Sequence, residues 1–170
     1  MMSYLLFITG ALCVMYFGVL YLWSYFFTQK PPVIPTKAVR SVITTCAVSL
    51  LGYAIALSVP NEELSNRIVH GFGGGFMAFL VCYLVARDSK LPLSKFQFFV
   101  FSVLLVSTLG VGNELLEFVL EKGFNVQFTP HIYDTWYDLV SNTIGCLLAA
   151  ACFTPLLKSY DSKENTQEIK

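Results

Sequence analysis

The sequence predicts an all-α protein, a polytopic membrane helix bundle of about five transmembrane helices. Hydrophobic residues make up 55% of the 170 residues, charged residues make up 13%, and the mean hydropathy is +0.63. Soluble domains usually carry about 25% charged residues. The apolar residues are also gathered into five runs of about 20 residues, the length that a helix needs to cross the hydrocarbon core of a bilayer. Both observations indicate an integral membrane protein.

Short polar or Pro-containing segments separate the five predicted spans. The first span lacks a basic leading segment and is longer than the roughly 7–15 apolar residues of a cleaved signal, so we expect it to remain a transmembrane helix. We expect residues 1–158 to form a single transmembrane helical domain and the polar residues 159–170 to form a disordered cytoplasmic tail. The spans are Tyr4–Phe27, Ala38–Val59, Arg67–Ala86, Phe96–Leu120 and Trp136–Leu157.

The distribution of Lys and Arg predicts the orientation, since cytoplasmic loops are enriched in these residues. The second and fourth loops hold only Arg67 and Lys122, against four carboxylates. We therefore predict a multi-pass protein of the inner cell membrane with its N-terminus outside and its C-terminus in the cytoplasm. The cations of the first loop, the third loop and the tail are Lys30, Lys37, Arg40, Arg87, Lys90, Lys95, Lys158, Lys163 and Lys170.

Six polar residues lie inside or at the edge of the apolar spans. A charge at the centre of a bilayer costs roughly 2.5–3.5 kcal/mol on insertion scales, so such residues usually line a polar site or pair with one another. Because the spans alternate in direction, all six fall at the outer membrane face. They are His70, Glu114, Glu117, Asp134, Asp138 and Asn142.

Two chemistries fit this cluster. Glu114, Glu117 and Asp138 are suitable ligands for a divalent metal ion, with Asn142 as a neutral oxygen donor. Without a metal, neighbouring carboxylates that share a proton would act with His70 in general acid–base catalysis. The sequence contains no established metal signature such as HExxH, so both alternatives stay open. The candidate catalytic residues are His70, Glu114 and Asp138, and the candidate substrate-binding residues are Arg67, Asn113 and Asn142.

Several of these residues also have a structural interpretation. His70 could bond to a neighbouring carbonyl, and Asp134 is expected to cap the N-terminus of the fifth span. Arg67 is the expected counter-ion for a carboxylate. The spacing of Gly71 and Gly75 predicts a close helix contact. We expect spans three, four and five to form the core, with the first two packed outside it.

Three motifs resemble those of the VanZ-like small membrane proteins, and the YjdF-like relatives most of all. They are Arg-x-x-His-Gly-Phe from Arg67, Asn-Glu-x-x-Glu from Asn113, and Asp-x-x-x-Asp-x-x-x-Asn-x-x-Gly from Asp134. The resemblance covers Arg67 to about Ala150. It implies that the motif carriers are His70, Glu114 or Glu117, and Asp138 with Asn142 and Gly145. The family is linked by name to glycopeptide (teicoplanin) resistance, which does not supply an activity.

Two classes of function remain after this. The first is a small membrane enzyme that acts on a lipid or a lipid-linked envelope precursor at the outer leaflet. The second is a non-catalytic subunit of a larger complex, or a small transport module, in which the polar cluster fixes helix packing. A net charge of zero and the lack of any nucleic-acid-binding module favour membrane lipid as the partner. A homo-oligomer or a larger membrane complex remains open.

Overall fold

The computed structural model describes residues 2–30, 33–124 and 133–158, and within them it contains five helices long and apolar enough to cross a membrane. The described residues form no strand, so the predicted all-α polytopic bundle is confirmed. The tail predicted for residues 159–170 lies outside the described residues. The helices are α1 (Met2–Thr28), α2 (Ala38–Leu57), α3 (Glu62–Asp88), α4 (Lys95–Phe124) and α5 (Asp134–Phe153).

Local sequence signals explain where the predicted boundaries were displaced. Helix α3 begins five residues before the predicted Arg67, because the side chain of Asn61 caps it by accepting a 2.8 Å hydrogen bond from the Leu64 amide. Two glutamates follow in the first turn, where they complement the helix dipole. Helix α5 ends at Phe153 rather than Leu157, since Pro155 cannot continue the helical hydrogen bonding.

Helix α3 is the central helix of the bundle and packs against each of the other four. In its most apolar window 61% of the residues are buried within the protein, against 22–33% for the other helices. The expectation that the first two spans lie outside the core is wrong. Helix α1 places Tyr16 and Trp23 in the same core cluster as Phe79 of α3 and Phe98 of α4, because its aromatic face packs on the second half of α3.

A π-helical segment, His70–Met77, interrupts α3 beside α5. A Cβ atom at Gly145 would clash with the carbonyl of Gly71, and one at Gly75 would clash with the backbone of Asn142. The predicted close contact at Gly71 and Gly75 is therefore confirmed. Single π-turns in α-helices are frequently found at functional sites, and this one brings the first half of α3 against the first half of α5.

The alternation of the helices gives the bundle two ends. The start of α3, the last turns of α4 and the start of α5 form one end, which we call the acidic end. The start of α2, the last turn of α3, the start of α4 and residues 154–158 form the other, which we call the basic end. The six polar residues singled out in the sequence belong to the acidic end.

Candidate functional site

Two helical stripes of polar residues meet at the acidic end. On α3, Glu63, Asn66, Arg67 and His70 follow the i, i+3, i+4, i+7 spacing that places side chains on one helix face. On α5, Asp134, Asp138 and Asn142 repeat every four residues, and all three are buried. The glycine contacts between α3 and α5 hold these two faces against each other.

Arg67 joins the two stripes through paired contacts. Its Nη1 donates to Oδ1 of Asp138 and its Nη2 donates to Oδ1 of Asp134, each at 2.5 Å. The guanidinium also lies 4.9 Å from the centre of the Tyr137 ring, a cation–π distance. The expected role of Arg67 as a counter-ion is thereby confirmed. The expected N-cap role of Asp134 is wrong, because Tyr133 holds the cap position and the Asp134 carboxylate binds Arg67 instead.

Asp138 uses its two carboxylate oxygens for different partners. Oδ1 accepts from Arg67 and, at 3.5 Å, from the amide of Asn66. Oδ2 lies 3.5 Å from Nε2 of His70. With a side chain only 2% exposed, Asp138 holds its charge inside the protein beside one arginine and one imidazole.

His70, Glu114 and Asp138 form a compact group at this point. Each offers one ligand atom, and the three atoms all lie within 4.8 Å of one another. They come from three different helices, since His70 opens the π-segment of α3, Glu114 lies on α4 and Asp138 on α5. Three different helices therefore contribute side chains to one small volume.

Glu114 is the member of this group for which the described part of the chain provides no hydrogen-bond partner. Its residue exposure is 7%, and neither carboxylate oxygen accepts a hydrogen bond within the part of the chain that the structure describes. The side chains of Thr135 and Asn113 approach the Glu114 carboxylate and favour its charged form, but neither contact meets the distance and angle of a hydrogen bond. A buried carboxylate is stable only when it is paired, hydrogen-bonded or bound to a metal.

The other predicted site residues lie around the group. Glu117 is half-buried and accepts a 2.7 Å hydrogen bond from the Asn113 amide one turn earlier, so these two residues partner each other. Asn142 lies one turn deeper than Asp138, and its Oδ1 is buried and unpartnered among the described residues. Its side chain occupies the space that the missing side chain of Gly74 leaves.

Comparison with known proteins identifies the family. A family model described as "Predicted membrane protein (DUF2238)" matches residues 2–159. The chain belongs to this family. No curated protein and no solved structure matches the chain. The DUF2238 match includes all five helices and both ends of the bundle, and it supports a multi-pass membrane protein in a lipid environment.

Some residues of this DUF2238 site were not singled out in the sequence. Asn66 reaches Asp138, Tyr137 lies beside Arg67, and the exposed Glu63 lies 3.8 Å from Arg67. The signal was present, because Glu63 and Asn66 share a helix face with Arg67 and His70. It was missed because the predicted third span began at Arg67, which left both residues in a loop.

The donors at the acidic end fit a divalent cation. One imidazole nitrogen and two carboxylates form a mixed nitrogen and oxygen set that suits Zn²⁺ or Mn²⁺. Arg67 already compensates Asp138, whereas the charge of Glu114 is uncompensated by any ion pair among the described residues. A metal ion bound here would therefore satisfy a carboxylate that has no partner among the described residues.

Proposed function

We propose that this protein holds a divalent metal ion between His70, Glu114 and Asp138 and uses it to bind a phosphate-bearing lipid or envelope precursor in the outer leaflet. The observation that carries the proposal is the buried Glu114 carboxylate, which faces two further ligand atoms within 4.8 Å and has no hydrogen-bond partner among the described residues. Burying such a charge without a partner costs several kcal/mol, in order of magnitude.

The surrounding residues would orient the ligands. Arg67 and Asn66 hold Oδ1 of Asp138, which leaves Oδ2 directed toward His70. Ligands held by outer hydrogen bonds in this way bind metals more tightly. The proposed ligand set is His70, Glu114 and Asp138. It leaves out Glu117, which the sequence predicted as a ligand, because the Glu117 carboxylate accepts a hydrogen bond from Asn113.

The location of the site supports a lipid as the bound molecule. The group lies toward one end of a bundle whose outer surface is apolar, and in a bilayer that end would lie near the lipid head groups. A divalent ion at this place would polarise a phosphate ester and lower the pKa of a bound water. The resemblance to VanZ-like proteins adds an envelope role to the same proposal.

The proposed orientation follows from the opposite ends of the bundle. The acidic end holds Arg67 and Lys122 among several carboxylates, whereas most described cations lie at the basic end. By the positive-inside rule the basic end faces the cytoplasm. The acidic end, and with it the proposed metal site, then faces the periplasm or exterior.

One observation favours a second function. Arg67 binds Asp134 and Asp138 at 2.5 Å, and the α3–α5 contact is glycine-lined, so the cluster fixes the packing of these helices. In a non-catalytic subunit or transport module this packing role would be the whole purpose of the polar residues. The two functions differ in what they require of Glu114, whose carboxylate has no hydrogen bond to Arg67.

Metal-dependent stability separates the two functions. Protein purified in detergent is stripped with EDTA, and its melting temperature is followed as Mn²⁺ or Zn²⁺ is added. We expect the melting temperature of the wild type to rise, because a ligand at 100 times its Kd stabilises by about 2.7 kcal/mol. Glu114→Gln should lose this rise and Glu117→Gln should keep it. An equal rise of the melting temperature in both variants, or no rise in the wild type, would exclude the metal site and favour the packing function.

A further inference from the structure

At the basic end, three chain segments line an open cavity that is distinct from the site at the acidic end. Its volume is about 540 Å³, within the range of small-molecule sites in proteins. The lining comes from residues 35–37 before α2, from the last turn of α3 together with Lys90, and from the segment after α5. The cations that line it are Lys37, Arg87, Lys90 and Lys158.

A smaller cavity of about 310 Å³ adjoins the first and shares Lys37 and Arg87 with it. Arg40 and Thr44 of α2 complete its lining. Within the described ranges, five cations therefore line the two cavities. Among the described residues of the lining Asp88 is the one carboxylate, and it is satisfied by other groups.

Asp88 serves to hold Arg87 in place. Its carboxylate accepts from Nε and Nη2 of Arg87 at 2.9 and 2.8 Å, from the Tyr16 hydroxyl at 2.9 Å and from the Ser41 hydroxyl at 2.5 Å. The Asp88 side chain is fully buried, whereas that of Arg87 is 42% exposed. The guanidinium also lies 5.9 Å from the Tyr83 ring. Arg87 is thus fixed on a buried carboxylate and presented to the cavity, while the lysines supply charge that Asp88 does not neutralise.

Two backbone features at the cavity favour an anion. Helix α2 begins at Ala38, directly after the lining residues 35–37, with no side-chain cap and no acidic residue in its first turn, so the positive end of its dipole lies beside the cavity. Lys90 has a positive φ of 48°, a conformation in which glycine is the usual residue. Lysine at this position therefore has a conformational cost, and Lys90 is one of the residues that line the cavity.

We propose that this cavity binds a phosphate group, carried either by an anionic lipid head group or by a soluble phosphate compound. Lys37, Lys90 and Lys158 would contact the phosphate oxygens, and Arg87 would present its fixed guanidinium to the same group. Basic loops alone would account for orientation in the membrane. The orientation rule does not explain why cations from three separate segments lie around one cavity, beside a buried carboxylate.

The test uses full-length protein purified in a neutral detergent, with melting temperature and native mass spectrometry as readouts. One arm adds inorganic phosphate or glycerol 1-phosphate at constant ionic strength, with chloride as the reference salt. The other arm transfers the protein to nanodiscs of phosphatidylcholine with or without phosphatidylglycerol. Binding in both arms supports recognition of the phosphate itself, and binding in the second arm alone supports a lipid head group. Binding in neither arm overturns the proposal.

Matched variants separate the cavity from general surface charge. Lys37→Gln and Lys158→Gln should each weaken binding about fivefold, as expected for one lysine near a phosphate-rich surface. Lys30→Gln removes the same charge at a position that follows α1 and lies outside the cavity lining. It should leave phosphate binding unchanged. Lys90→Gly should raise the melting temperature by relieving the positive φ and still weaken binding. Equal effects of Lys37→Gln and Lys30→Gln would contradict the proposal.

Discussion

Nη1 of Arg67 lies 2.5 Å from Oδ1 of Asp138, and this contact joins the first turns of α3 to the first turns of α5. The two residues are 71 positions apart in the chain. Asp138 is almost completely buried, whereas Arg67 retains 18% of its side-chain exposure. The pair therefore combines a long-range structural link with a carboxylate whose second oxygen remains directed toward His70.

We predict that Arg67→Gln strongly destabilises the protein. The substitution leaves the carboxylates of Asp134 and Asp138 without their cation, and removal of one partner of a buried ion pair costs about 3–5 kcal/mol. The melting temperature in detergent would show the loss. Glu63→Gln is the matched control, since that residue is exposed and lies 3.8 Å from Arg67, where a surface pair contributes about 0–1 kcal/mol. Equal melting temperatures for the two variants would show that the buried pair is dispensable.

The effect of Glu114→Gln on the melting temperature should change sign when the metal is bound. In EDTA-treated protein it removes a buried charge that has no hydrogen-bond partner among the described residues, so the melting temperature should stay the same or rise. In metal-loaded protein it removes a ligand, so the melting temperature should fall below that of the wild type. Differential scanning fluorimetry of both forms measures this crossing. A Glu114→Gln variant that is less stable than the wild type by the same margin in both forms would indicate a packing role.

Glycine substitutions test the contact between α3 and α5. Gly145→Ala places a Cβ atom against the carbonyl of Gly71, and overpacking of this kind typically costs about 1–3 kcal/mol. Gly112→Ala is the control, because a Cβ atom there meets nothing within 4 Å. Alanine should instead stabilise that position by up to about 1 kcal/mol through helix propensity. Melting temperatures that move in the same direction for both variants would contradict the close crossing.

The hydroxyl of Tyr16 should stabilise the basic end. Tyr16→Phe removes a 2.9 Å hydrogen bond to the buried Asp88, and hydrogen bonds to charged groups contribute about 1.5–3 kcal/mol. Tyr21→Phe on the same helix changes an exposed residue and should have little effect. Comparing the two variants by thermal unfolding isolates the bond. The role assigned to Asp88 predicts in addition that Tyr16→Phe weakens phosphate binding through Arg87.

The orientation can be tested with reporters fused after Lys170. A fluorescent protein that matures only in the cytoplasm should be active there, and alkaline phosphatase, which needs the periplasm, should be inactive. The opposite pattern would place the acidic end in the cytoplasm and move the proposed metal site to the inner leaflet.

The sequence predicted the fold well, because apolar runs of membrane length are a strong signal and helices satisfy their own backbone groups in lipid. It also placed His70, Glu114 and Asp138 at one end of the bundle. What it could not predict was which carboxylates have partners. One example is whether Asp134 caps α5 or binds Arg67, and another is whether Glu117 or His70 completes the group. Both depend on side-chain packing between helices and not on residue spacing within one helix.

The central arrangement of α3 was also beyond the sequence. All five spans are apolar, so hydropathy does not tell a central helix from a peripheral one. The glycines of the His70–Met77 segment were the available signal, since small residues permit close approach. Their consequence, a helix packed on every side, required the structure.

The most direct test of the proposed function is the metal content of the purified protein, measured by elemental analysis. Wild type, Glu114→Gln and Glu117→Gln are loaded with Zn²⁺ or Mn²⁺, passed through a desalting column and compared as moles of metal per mole of chain. The proposed site predicts about one metal ion per chain in the wild type and Glu117→Gln, and far less in Glu114→Gln. Equal metal content in all three proteins, or no bound metal in the wild type, would contradict it.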